Sequence, residues 1–284
     1  MKKFDYHMPE SLHEAFGLME KYQGRARYIA GGTDVMVRVK QGAARPDALI
    51  SLRHIEALKG MHWNGALRLG SMTLFRDLER DKDVERTYAA LAQAVRVLAN
   101  PQVRNVATIG GNLANAAPSA DCAPPLLVME AICRIDGPGG EREVPVEAFF
   151  LGPGKTCMTE TEVLKAIEIP APDKGAVTAF AKAGRVSQDI ALVNAAVMLV
   201  MDGPVCKDCR LAAGAVAPVP LRLKRAEEAV TGREITPDLL DHVKGIVEEE
   251  VRPITDVRSS AEYRRIMSGV LVKRAIGQAT GGIV

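Results

Sequence analysis

Ala107-Thr108-Ile109-Gly110-Gly111-Asn112-Leu113-Ala114-Asn115-Ala116-Ala117-Pro118-Ser119-Ala120-Asp121 repeats a design already present at Tyr28-Ile29-Ala30-Gly31-Gly32-Thr33-Asp34-Val35. In both, a short apolar run ends in a Gly-Gly pair followed by small polar residues. Glycine reaches positive φ without steric cost and has no Cβ, so successive N–H groups can turn inward around an anion. Two such turns, far apart in sequence, point to a ligand with two phosphates or to one long ligand gripped between two lobes. Thr33, Thr108, Asn112, Asn115 and Ser119 add neutral donors for phosphates and sugar hydroxyls, whereas Asp34 and Asp121 can only accept when ionised. That mixture suits a dinucleotide.

Outward from these motifs, 284 residues exceed the usual single-domain size, so two cores are expected. Lys plus Arg number 37 against 35 Asp plus Glu, a balance that argues against a broad nucleic-acid or membrane field. The start, Met1 to His7, carries charge with no apolar region behind it, and the apolar run Ile190 to Met201 is too short to span a bilayer. A cytoplasmic protein without a membrane span is expected. The five cysteines make an odd count in a chain that needs no staples, so reduced thiols are expected. Cys206-Lys207-Asp208-Cys209 has a metal-like spacing but no second pair to complete four ligands. It reads as a polar turn before a strand at Arg210 to Val216, and no metal site is expected.

Periodicity predicts a helix over Ser11 to Tyr22, strands at Arg27 to Ala30 and Ala48 to Leu52, and a strand at Leu67 to Ser71. Val35 to Lys40 is ambiguous between strand and capped helix. Helices follow at Leu74 to Leu78 and Tyr88 to Ala99, the latter stopped by Asn100-Pro101. Pro124 and Pro125 open an apolar helix through Glu130. Ile132 to Ile135 and Glu143 to Val146 read as a hairpin around Gly137-Pro138-Gly139-Gly140. Beyond a boundary near Pro170 to Gly175, strand-like runs at Val177 to Ala183, Ile190 to Met201 and Arg210 to Val216 precede helices at Leu223 to Val230, Thr236 to Val251 and Ser260 to Ala279. Strands then helices in blocks argue for an α+β unit with a layered sheet.

Gly154-Lys155-Thr156 looks like the end of a P-loop, but the glycine that such a loop needs upstream is Phe149, so that reading fails. Arg104 suits either a phosphate or a surface salt bridge.

The two glycine motifs, Asn100 to Asn105, Phe149-Phe150-Leu151-Gly152, Leu211 to Pro220 and Tyr263 to Ala275 together resemble the medium, FAD-binding subunit of the molybdenum hydroxylases, the group of xanthine dehydrogenase and aerobic carbon monoxide dehydrogenase. The resemblance runs through almost the whole chain. It implies an α+β fold: a two-lobed PCMH-type FAD-binding domain over 1–173, with lobes of about 1–56 and 57–173, and a smaller C-terminal domain over 174–284 with a three-stranded antiparallel sheet and helices. It favours helix for Val35 to Lys40. It implies pyrophosphate contacts from Gly31, Gly32, Thr33, Gly110, Gly111 and Asn112, mostly through backbone N–H groups. Thr108 matches a hydroxyl beside the flavin, Asp121 an acid that accepts from a cofactor hydroxyl, and Asp34 a less uniform polar position. Ile29, Ala30, Val35, Ala99 and Ala114 complete the cofactor contacts, Val163 and Leu164 lie against the isoalloxazine, and Lys182 approaches its pyrimidine edge.

No catalytic nucleophile, base or metal is expected in the chain itself. The resemblance implies a small partner with two [2Fe-2S] clusters, a large molybdopterin partner, and NAD or another electron acceptor. A family variant with an extra cluster-bearing loop is not expected here, because the cysteines are few and dispersed. Two competing readings are a self-sufficient PCMH-type flavin oxidoreductase, which would need a cap with clustered catalytic side chains, and a non-redox nucleotide-binding scaffold.

Overall fold

The computed structural model describes residues 2–282. It begins with a parallel three-stranded sheet, in the order Asp5–His7, Ala48–Ser51, Ala26–Ile29. Parallel neighbours need a crossover, and helix Leu12–Tyr22 supplies one. Ser11 caps it by accepting from the Glu14 N–H at 3.1 Å, and Ala15, Phe16 and Met19 turn inward against Ala48 and Ile50. Val35–Lys40 is a helix, as the resemblance favoured.

Five strands form the second sheet, ordered Met61–Asn64, Ala66–Gly70, Val163–Ile169, Ile132–Asp136, Arg142–Pro145, with all neighbours antiparallel. Its middle strand, Val163–Ile169, arrives late in sequence and ties the lobe together. Helices Phe75–Arg80, Ala89–Arg96 and Ala123–Val128 share one core with this sheet. Asn100 caps the short helix Pro101–Arg104 through the Val103 N–H at 2.9 Å.

The third sheet carries the three expected long antiparallel strands, Ala176–Ala183, Val193–Asp202 and Val205–Gly214, and adds a two-residue edge, Leu221–Arg222. One face packs under helices Ala261–Ala279 and Lys224–Val230, with Pro237–Glu250 packed on both of them. The other joins the core of the five-stranded lobe through Phe180, Ala196, Met198 and Ala212. Burial on both faces explains why the middle strand is apolar along most of its length, with Asn194 as its buried polar exception. The third strand starts earlier than expected: Cys206 and Cys209 lie inside it, both buried, and the turn is instead at Gly203, whose φ is 58°.

Candidate functional site

The two glycine pairs face each other. A Cβ on Gly31 would lie 2.1 Å from the Val106 carbonyl oxygen, and one on Gly111 would meet the Ala30 side chain at 3.6 Å. Each turn therefore packs on the segment that carries the other. The four glycines differ in what requires them. Gly32 alone takes positive φ, at 77°. Gly110 is pressed against Ser71, where an added Cβ would fall 2.4 Å from the serine Cβ.

The second pair differs from the expected open turn. It forms the first turn of helix Ile109–Ala114, capped by Thr108. Its N–H groups are engaged: Ile109 donates to Thr73 O at 3.1 Å, Gly110 to Ser71 O at 2.9 Å, Gly111 to Thr108 Oγ1 at 3.0 Å, and Asn112 to Thr108 O at 3.0 Å. The expectation of a second backbone nest is thus corrected, because the N–H groups close the helix start. At the first pair the opposite holds. Among the described residues, the N–H groups of Gly31, Gly32, Thr33, Asp34 and Val35 donate to no protein acceptor. Exposed, unsatisfied N–H groups beside a glycine at positive φ make an anion cradle.

Between the turns lies a cavity of about 480 Å³. All the expected cofactor residues line it except Ile29 and Lys182. Ile29 is buried behind Gly32, and Lys182 borders a neighbouring groove with Gln93, Arg96 and Arg185. Lys182 is engaged elsewhere: its Nζ donates to Asp121 Oδ2 at 2.6 Å and to Val97 O at 3.2 Å. Asn194 Nδ2 donates to the other Asp121 oxygen at 2.8 Å. Burial pushes the Asp121 carboxyl up, opposed by the Lys182 charge and these hydrogen bonds. Arg104 does not reach the cavity; it is buried in a two-point pair with Glu79, at 3.0 Å on both oxygens.

Several lining residues escaped the sequence reading. Ser71 and Met72 follow strand Ala66–Gly70, and Arg38 lies one turn into helix Val35–Lys40. Met158 and Glu162 come from the connection before Val163, and Gln188, Asp189 and Ile190 from the loop between the first two strands of the third sheet. Tertiary placement alone brings these together. Ala99, expected from the resemblance, has φ 46° just before Asn100-Pro101, and strained backbone concentrates at binding sites. Glu162 is held by Arg142 at 2.7 and 3.0 Å and by the Thr159 N–H at 2.7 Å, which lowers its pKa to about 2.

The cavity lining is apolar at Leu98, Val163 and Leu164 and polar at Thr33, Asn112, Asn115 and Ser119. Among the described residues its lining contains no His, Cys or Lys, and no group of His, Cys, Asp or Glu is arranged to hold a metal. The arrangement binds and orients an elongated anionic ligand with an apolar ring system.

Comparison with known proteins matches two regions of the chain. The family described as the FAD binding domain in molybdopterin dehydrogenase matches residues 2–172, and the CO dehydrogenase flavoprotein C-terminal domain matches residues 178–279. The carbon monoxide dehydrogenase medium chain of Hydrogenophaga pseudoflava is 33% identical over 278 residues, covering 98% of this chain and 97% of that one. The xanthine dehydrogenase FAD-binding subunit of Escherichia coli O157:H7 is 34% identical over 278 residues, covering 96% and 95%. In solved structures, a chain of Hydrogenophaga pseudoflava carbon monoxide dehydrogenase superposes with a TM-score of 0.96 at 33% identity, covering 100% and 99%. A chain of quinoline 2-oxidoreductase from Pseudomonas putida 86 gives 0.94 at 28% identity, covering all of both chains.

Proposed function

The chain belongs to the FAD-binding subunits of the molybdopterin dehydrogenases, and from that premise we propose that it is the electron-exit module of a molybdenum hydroxylase assembly. Residues 1–173 form the FAD-binding domain in this reading, and 174–284 a domain that closes the site. Reducing equivalents arrive from a small partner with two [2Fe-2S] clusters, fed by a large molybdopterin partner, and leave to NAD or another acceptor. The assembly works in the cytoplasm. FAD supplies the redox chemistry when bound, and the protein supplies position and electrostatics.

The observation that carries this reading is the unsatisfied N–H row from Gly31 to Val35 beside a partly apolar cavity. Those N–H groups take the pyrophosphate. Thr108 and Asn112 add side-chain donors from the opposite turn, and the Asn112 Oδ1, buried without a partner, accepts from a cofactor hydroxyl. Val163 and Leu164 offer an apolar wall to the ring and exclude water from one face. Asp121 is fixed by Lys182 and Asn194 in a single orientation, so Lys182 acts on the cofactor through Asp121.

Purified protein should carry one FAD, released by acid and identified by chromatography, with no acid-labile sulfide. Colourless protein that takes up no FAD on reconstitution would defeat the assignment and favour a non-redox scaffold.

A further inference from the structure

Charge at the cavity is unevenly paired. Four carboxylates line it: Asp34, Asp121, Glu162 and Asp189. Three already have cations, with Lys182 on Asp121 at 2.6 Å, Arg142 on Glu162 at 2.7 Å and Arg185 on Asp189 at 2.7 Å. Among the described residues Arg38 is the one cationic side chain in the lining, and no carboxylate lies within ion-pair distance of it. Asp34 sits four residues earlier on the same helix, yet the pair does not form. Arg38 Nη2 instead donates across the cavity to Asn115 Oδ1 at 3.1 Å. The guanidinium thus reaches from the first turn to the segment just beyond the second, with most of its five donors unused.

We infer that Arg38 is the cation that meets the pyrophosphate of the dinucleotide, a deepening that rests on the FAD reading above. An unpaired guanidinium on the same strand-to-helix unit as the Gly31–Val35 N–H row gives a doubly charged anion both its backbone cradle and a counter-charge. Its planar fork suits two phosphate oxygens, and such charge-assisted bonds are stronger than neutral ones. Asn115 parks the side chain across the cavity in the free protein and yields it when the anion arrives.

Deflavo-protein titrated with FAD at several salt concentrations tests this. Arg38→Ala should bind FAD about tenfold to hundredfold more weakly, the scale of a lost charged hydrogen bond. Its affinity should also depend less on ionic strength, since one screened attraction is gone. Arg38→Lys, which keeps the charge, should recover most of the affinity and its salt dependence. An Arg38→Ala variant whose affinity keeps the wild-type salt dependence, or an Arg38→Lys variant that loses as much as Arg38→Ala, would overturn the inference and leave Arg38 as a staple between the lobes. Absence of FAD binding by the wild type would instead defeat the functional reading itself.

Discussion

A β-carbon added at Gly31 would sit 2.1 Å from a backbone oxygen of the facing segment, whereas one at Gly32 would meet only side chains, Ile29 at 3.1 Å and Met36 at 3.5 Å, on a backbone with φ 77°. The two neighbours should therefore fail differently. Gly31→Ala forces the lobes apart, so thermal unfolding and flavin content should fall together. Gly32→Val keeps the lobe contact but strains the cradle by roughly 1–3 kcal/mol. It should give protein with native circular dichroism and no stoichiometric FAD; full flavin in that variant would show that the cradle is not where the phosphates lie. The sequence marks both glycines but not this difference, because the first depends on what packs against it from 75 residues away. Lys182 shows the same limit. Its position in sequence suggested a flavin contact, and its actual partner is Asp121. Lys182→Ala strands a buried carboxylate, at about 3–5 kcal/mol. A carboxyl whose folded pKa is raised binds its proton more tightly folded than unfolded, so the stability it contributes is present at acid pH and lost as pH rises through the folded value. Melts of Lys182→Ala should thus show a steeper loss of stability between acidic and neutral buffer than wild type. Adding Asp121→Asn should remove that slope.

Helix Ile109–Ala114 opens on a glycine pair, which disfavours helix, and a reading by propensity gives a turn. What holds it is the Thr108 cap together with the Ser71 and Thr73 carbonyls, partners brought by the neighbouring strand. Thr108→Ala should cost about 1 kcal/mol and weaken FAD binding, and Thr108→Ser should restore both in melts and titrations. Thr236 and Ser260 cap longer helices in the same way and were legible, because proline or an apolar period follows each directly. The strand Val205–Gly214 was placed too late for the converse reason: Cys-Lys-Asp-Cys looks polar, and Gly203-Pro204 is the stronger turn signal. Before Val163, the turn at Thr159–Glu162 is locked by Glu162 on Arg142. With a folded pKa of about 2 against an ordinary 4.5, Glu162 contributes stability that is present above the ordinary value and lost as pH falls toward 2. Glu162→Gln should flatten the acid limb of the stability profile in that window and leave alkaline melts parallel to wild type.

The three larger sheets wall the cavity: Gly31 and Gly32 follow the parallel sheet, Ser71 follows a strand of the five-stranded one while Val163 and Leu164 lie in it, and Gln188 to Ile190 connect two strands of the third. The last contribution is fixed by contacts that the sequence pattern could not show. The Ala215 N–H donates to Pro118 O at 2.7 Å, Arg222 reaches Leu127 O at 3.4 Å, and the Lys182–Asp121–Asn194 group is buried across the same junction. Length and block order lead the sequence reading to expect two domains, yet the core shared through Phe180, Ala196 and Met198 ties the third sheet to the five-stranded lobe. A ligand that binds only the folded site stabilises whatever unfolds with that site, by about 2.7 kcal/mol at a hundredfold excess over its Kd. Calorimetry with excess FAD should therefore move a single transition upward as a whole. Two transitions, with the one belonging to the third sheet unmoved by FAD, would show that Gln188 to Ile190 and the Asp121 junction lie against the cofactor site without forming part of it.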